Sequence, residues 1–321
     1  MKRAAALVAA ALALAACQPA PAPVPRATVP PPVQAPVERP VLAVVRPAPA
    51  PSRESASASA YSARLQEQLV SEGLMRRDGG GVDTSYTAAD LARNFEQIAL
   101  FSELTQMGGR FMADGRPGVI NRWRDPVRIE MHFGASVPPE RRRIETATVT
   151  AYAARLSAAS RHPVSVVERG GNFHVYLVDL DEQRRLAPDL LRVAPGLGRS
   201  GAAAIASLGR STYCTVFALA QAGDSNVLSA AVALVRTEHP DLSRLACYHE
   251  EIAQGLGLTN DSPLARPSIF NDDDEFALLT RHDEQLLRML YDPRLRPGMD
   301  AAEARPIVRA LAREIVEGGS F

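Results

Sequence analysis

Between Cys247 and Asp261 the chain reads Cys-Tyr-His-Glu-Glu-Ile-Ala-Gln-Gly-Leu-Gly-Leu-Thr-Asn-Asp. Its reactive groups are two adjacent carboxylates, Glu250 and Glu251, an amide one helical turn later, Gln254, and the pair Asn260-Asp261 beyond two glycines. A carboxylate beside a substrate can move a proton if its surroundings tune it to do so, which makes Glu251 the candidate catalytic residue. Glu250, Gln254, Asn260 and Asp261 are the candidate ligand-binding residues. Zinc takes thiolate, imidazole or carboxylate donors, whereas neutral amide oxygens suit hard cations such as calcium. The set therefore predicts no metal and no cofactor. At 100° per residue, Leu245, His249, Ile252, Ala253 and Leu256 share the face that must be buried, and Cys247, Glu250 and Gln254 share the other, with Glu251 at its edge. His249-Glu250 only imitates His-Glu-x-x-His, because the second ligand position is Ala253, so His249 is expected as a packed imidazole. Glu250 and Glu251 diverge by ~100° on the helix and are not expected to act as one dyad.

Read from Glu250, the spacing E-E-x-x-Q-x-x-G-x-x-N-D resembles the metzincin zinc-peptidase motif H-E-x-x-H-x-x-G-x-x-H, often followed by Asp. Glu250, Gln254 and Asn260 stand where the three ligand histidines would be, Glu251 stands at the general base, and Gly257 is in register. Downstream, Ser268-Ile269-Phe270 resembles the S-I-M turn of those enzymes, and Leu279-Thr280-x-x-Asp283-x-x-x-Leu287-x-x-Leu290-Tyr291 resembles their closing helix.

The elements that must position these residues follow from periodicity. Thr87-Ala88-Ala89-Asp90 is a capping-box-like start to a helix in which Leu91, Phe95, Ile98, Ala99, Ser102 and Glu103 fall at helical spacing. Val127 to Phe133 alternates apolar and polar residues as a half-exposed strand does. Pro138-Pro139 opens a long helix to about Ala159. Val164 to Glu168 and Phe173 to Leu180 read as a hairpin around Gly170-Gly171. Residues 182–210 are mostly helical, and Thr212 to Ala220 and Val227 to Val235 are β-rich runs joined by a turn. The motif helix covers about Leu242 to Leu256, and helices capped at Thr280 and Asp300 complete the chain. The predicted class is α+β and zincin-like: a mixed twisted sheet with a long backing helix, a motif helix and C-terminal helices.

The other segments describe an address. Lys2 and Arg3, the apolar run Ala4 to Ala13, and Leu14-Ala15-Ala16-Cys17 form a signal peptide over 1–16. Its ending resembles a bacterial lipobox, which implies diacylation of Cys17; Gln18 in place of Asp, by resemblance to enterobacterial lipoproteins, points to the outer membrane. Residues 17–52 are a Pro/Ala-rich linker, ~100 Å long if it populates polyproline II. Residues 53–81 are expected to be weakly structured with a short helix around Tyr61 to Glu72. A globular zincin-like domain over 82–321 follows, with a helical prefix over 82–118. The 36 basic and 36 acidic residues leave a formal charge of −2 once Lys2 and Arg3 are removed, and no basic stripe points to nucleic acid. Cys214 and Cys247 are an even pair in an exported chain and read as a disulfide, with two buried thiols as the alternative. His132, His162, His174, His239 and His282 contain no i,i+4 pair, so no zinc site is read from them. Gly108-Gly109 is read as a helix end, and Asn271 to Glu275 as a solvated loop.

Taken whole, the chain resembles a family of uncharacterised proteobacterial lipoproteins, through the Phe95-x-x-Ile98-Ala99…Ser102-Glu103 helix, the cysteine pair and E-E-x-x-Q-x-L-G-L-x-N-D. The expected function is a periplasmic, lipid-anchored pseudo-metallopeptidase that binds a polypeptide or a cell-wall component. Two alternatives stay open: a hydrolase using Glu251 with an atypical metal, and a structural envelope lipoprotein.

Overall fold

The computed structural model describes residues 50–318, apart from 102–103, 108–109, 114–116, 222 and 272, and omits the side chains of 104–107, 110–113 and 224–225. The signal peptide, Cys17 and residues 17–49 of the linker lie outside the described residues. Helix α1 (Arg53–Ser71) begins at Ser52, whose hydroxyl accepts from Ser55 N. Segment 53–81, read from sequence as weakly structured, thus contains a helix that starts eight residues before Tyr61. It is fastened to the rest of the chain: Ser55 Oγ donates to buried Glu238 at 2.6 Å, and Ser243 N donates to Gln66 at 2.9 Å.

Helix α2 (Ala88–Ala99) carries the expected capping box, Thr87 with Asp90, and ends at Leu100. Ser102 and Glu103 lie outside the described residues. The predicted helical prefix is corrected just beyond them. Strands β1 (Leu104–Met107) and β2 (Arg110–Ala113) pair antiparallel, and Gly108-Gly109, outside the described residues, falls between these strands rather than after a helix.

The main sheet contains β3 (Arg122–Trp123), β4 (Val127–Phe133), β5 (Val164–Val167), β6 (Phe173–Val178), β7 (Cys214–Gln221) and β8 (Asp224–Arg236). The long helix α3 (Pro139–Ser160) joins β4 to β5 and begins on a proline in its first turn, where the missing N–H costs nothing. β5 and β6 are not a hairpin. Both run parallel to β4, one on each of its edges. All six residues of β6 are buried, as expected of a parallel strand covered on both faces. Gly171 permits the crossing, since a Cβ there would meet Glu130 Cβ at 2.5 Å.

β8 takes β3 and then β6 along one edge, both parallel, and β7 antiparallel along the other. Alternation along β8 sends Ala231, Ala233 and Val235 into the larger core and Val232 and Leu234 into a smaller one. The larger core is closed by α2, α3, α7 (Asp241–Gln254), α8 (Arg281–Leu290) and α9 (Ala301–Glu317). The smaller lies under α5 (Ala187–Val193) and α6 (Gly198–Ala206), which follow the single-turn α4 (Leu180–Gln183). Thr280 and Asp300 cap α8 and α9 as the sequence indicates. Among the described residues, no helix is long and apolar enough to cross a membrane.

Candidate functional site

The motif residues lie on α7, which is held from all sides. Arg244 Nε donates to Glu145 of α3 at 2.9 Å, and both side chains are buried. Trp123 Nε1 donates to Gly255 O at 2.8 Å. His249 stacks on Tyr152 with ring centroids 4.0 Å apart, its Nδ1 accepts from Leu279 N at 2.9 Å, and Tyr152 Oη donates to its carbonyl at 2.5 Å. Burial, helped by the nearby Arg155 cation, pushes His249 down to about 3, so it is the neutral packed imidazole that its helical face implies. Gly257 has φ +119°, and a Cβ there would lie 2.2 Å from Asn121 O, which fixes glycine at the position the motif spacing picks out.

The polar face of α7 is also enclosed. Cys247, Glu251 and Gln254 are buried along with the apolar residues, because β7 lies against that side. Cys214, the first residue of β7, is disulfide-bonded to Cys247, with Cα atoms 5.8 Å apart. Between β7, the segment that leads into it and α7 is a cavity of about 360 Å³, lined by Thr212, Thr215, Phe217, Glu250, Glu251, Gln254 and Asp261, among others.

Four of the five predicted site residues therefore meet at this cavity. Gln254 Nε2 donates to Asp261 Oδ1 at 3.0 Å. Glu250 and Glu251 offer carboxylate oxygens that lie, with Cys214 Sγ, within 4.8 Å of one another. Backbone geometry alone splays adjacent helical side chains, yet these two bend toward the same space, so the expected divergence of their side chains is corrected. Asn260 is elsewhere: its amide nitrogen donates to Gln97 O at 3.0 Å and Asp261 O at 2.7 Å, tying the loop to the end of α2.

The metzincin resemblance implies a zinc ion, and these donors do not fit one. Cys214 sulfur is in a disulfide, and Gln254 and Asn260, whose amide nitrogens donate to Asp261 Oδ1 and to Gln97 O, offer only neutral amide oxygens where zinc takes thiolate, imidazole or carboxylate. Ser268-Ile269-Phe270 forms a buried turn tied to α8: Ser268 Oγ donates to Asp283 at 2.6 Å, and Ile269 N donates to it at 3.1 Å.

Residues 88–310 match the family model described as "Protein of unknown function (DUF2927)", a match over more than two thirds of the chain. The chain belongs to the DUF2927 family. The matched DUF2927 region opens on the first residue of α2 and closes within α9, so β7, α7 and the cavity between them are part of the family domain, and α1 precedes it. Neither a curated protein nor a solved structure matches this DUF2927 chain.

Sequence reasoning missed two groups of residues in the DUF2927 domain. Thr212 and Thr215 line the cavity but carry no signal before the strand partner is known. His132 and His174, 42 positions apart, face each other at 3.0 Å. The signal available was Glu130-x-His132 on one face of a strand; the second histidine needed the register.

Proposed function

We propose that this protein is an envelope-tethered pseudopeptidase, a zincin-like domain whose cleft binds an extended polypeptide or cell-wall peptide without cutting it. The observation that carries the reading is the chemistry of the cavity. One wall supplies three carboxylates, Glu250, Glu251 and Asp261, the other is the edge strand β7, and no basic side chain is among the lining residues. An edge strand can pair with an added peptide through its backbone, and an acidic wall attracts a ligand ammonium or guanidinium group.

The zincin-like assignment is supported by the element order: strand, long helix, two strands, three short helices, a strand pair, then the motif helix, with Gly257 and the buried Ser268-Ile269-Phe270 turn following it. The unsuitable zinc donors favour gripping over cutting. Diacylation of Cys17 would hold the domain at the periplasmic face of the outer membrane. The approach of Glu250 to Glu251 favours a second reading, a hydrolase in which Glu251 is the base and an atypical hard cation assists.

The test is a binding and cleavage assay of the exported domain with Lys- or Arg-bearing peptides and with muropeptides that carry a free amine. Binding without cleavage is expected, weakened by added salt and reduced ~10-fold or more in Glu250→Gln/Glu251→Gln, since about 1.4 kcal/mol is tenfold in affinity. Cleavage that stops in Glu251→Gln alone would establish the hydrolase. Absence of binding by either ligand class would leave the structural lipoprotein.

A further inference from the structure

On the sheet face opposite α7, Glu130 and His132 stand two residues apart on β4 and so point to the same side. The parallel register sets His174 of β6 beside Glu130. His132 Nε2 and His174 Nδ1 face each other at 3.0 Å, and Glu130 Oε1 lies 3.7 Å from His132 Nε2. One ligand atom from each of the three lies within 4.8 Å of the other two. We propose that Glu130, His132 and His174 form a binding site for a zinc-class divalent transition-metal ion, separate from the α7 cleft.

Two imidazoles with one carboxylate is a donor set that holds zinc in catalytic sites, with metal–nitrogen distances of about 2.0–2.1 Å and metal–oxygen distances of about 2.0–2.2 Å. Two nitrogens on one such ion stand ~3.0 Å apart at a bond angle near 95° and ~3.4 Å apart at the tetrahedral angle. The observed pair, at 3.0 Å, has the separation of the narrower angle and opens by a few tenths of an ångström for the tetrahedral one. At present a single proton links the two rings; a cation bound to both nitrogens would displace it and sit to one side of the line between them, on the side where Glu130 lies.

The surroundings orient the ligands as metal sites require. Gly171 N donates to Glu130 Oε2 at 2.9 Å, which turns the carboxylate and leaves Oε1 toward the histidines. Tyr176 stacks on His132 with centroids 4.5 Å apart and planes 12° from parallel, and its hydroxyl donates to Asp189 of α5 at 2.6 Å. His174 is buried, while Glu130 and His132 are partly exposed. His132 also borders a cavity of about 560 Å³ lined by Glu182, Asp189, Arg142, Arg185 and Arg192, which leaves room for water or an anion beside an ion.

The experiment uses metal-stripped full domain, loaded with zinc, desalted and assayed for metal, with cobalt(II) titrated in parallel. About one equivalent should be retained. His174→Ala and Glu130→Gln should weaken binding ~100-fold or more, and Glu250→Gln and Glu251→Gln should not change it. Histidine ring NMR of the wild type, which does not depend on any variant folding, should show zinc moving two of the six ring systems. Retention of no zinc by the wild type, no histidine shift, or loss of the ion in the Glu250 or Glu251 variants but not in the His174 variant would overturn the site. None of those results depends on whether the α7 cleft binds peptide.

Discussion

At the scale of single residues, the histidines set how the protein responds to acid. Burial holds His249 at about 3 and His174 and His239 each at about 4, and it also lowers His132 and His162. The unfolded chain takes protons on these rings near pH ~6.5, while the folded one does not. Their contribution to stability is therefore complete above that pH and is lost as pH falls toward 4, at up to ~1.4 kcal/mol per pH unit for each ring. Burial raises Glu238 and Asp179, which act in the opposite sense, but the histidines outnumber them. The melting temperature should fall steadily from pH 7 to 4.5; a flat profile would show that the imidazoles are not buried as described. The packing of His249 was legible in sequence, because helical periodicity puts it with Ile252, Ala253 and Leu256. The pairing of His132 with His174 was not, because it depends on which strands are neighbours.

At the scale of elements, the disulfide joins the two walls of the cleft. Its cysteines are 33 positions apart, and closing a loop of that length restricts the unfolded chain by ~3–4 kcal/mol in the chain-entropy model. Cys214→Ala/Cys247→Ala should lose about that much stability in urea unfolding, since β7 would no longer be fastened to α7. A loss below ~1 kcal/mol would mean that β7 is held by its pairing with β8 alone. The pair itself could be read from the even cysteine count together with the expectation of export. The motif helix, the α3 start and the Thr87, Thr280 and Asp300 caps could be read because their signals are local. The false hairpin at Gly170-Gly171 arose because two glycines between β-rich runs look the same in a tight turn and in a crossing beneath a neighbouring strand. Only the burial of every β6 residue separates the two.

At the scale of the whole molecule, α1 lies outside the matched family region yet contributes a buried hydrogen bond to Glu238, whose other donor is Leu180 N at 2.8 Å. A chain beginning at Leu74 should fold with ~1–3 kcal/mol less stability, the usual cost of depriving a buried group of a partner. Failure to fold would make α1 part of the domain's minimum. Sheet order was the least legible feature, because a parallel strand chooses its neighbour through long-range packing rather than through an adjacent turn. That order has a consequence in time. β8 is the last strand in the sequence and the one to which β3, β6 and β7 all attach. Until residues 224–236 have been synthesised, β6 can satisfy only the edge it shares with β4, and β7 has no partner among the described strands. Long-range pairing of this kind is slow, and it cannot begin on a partial chain. A polypeptide whose joining strand emerges so late cannot complete its sheet until most of the chain has been made.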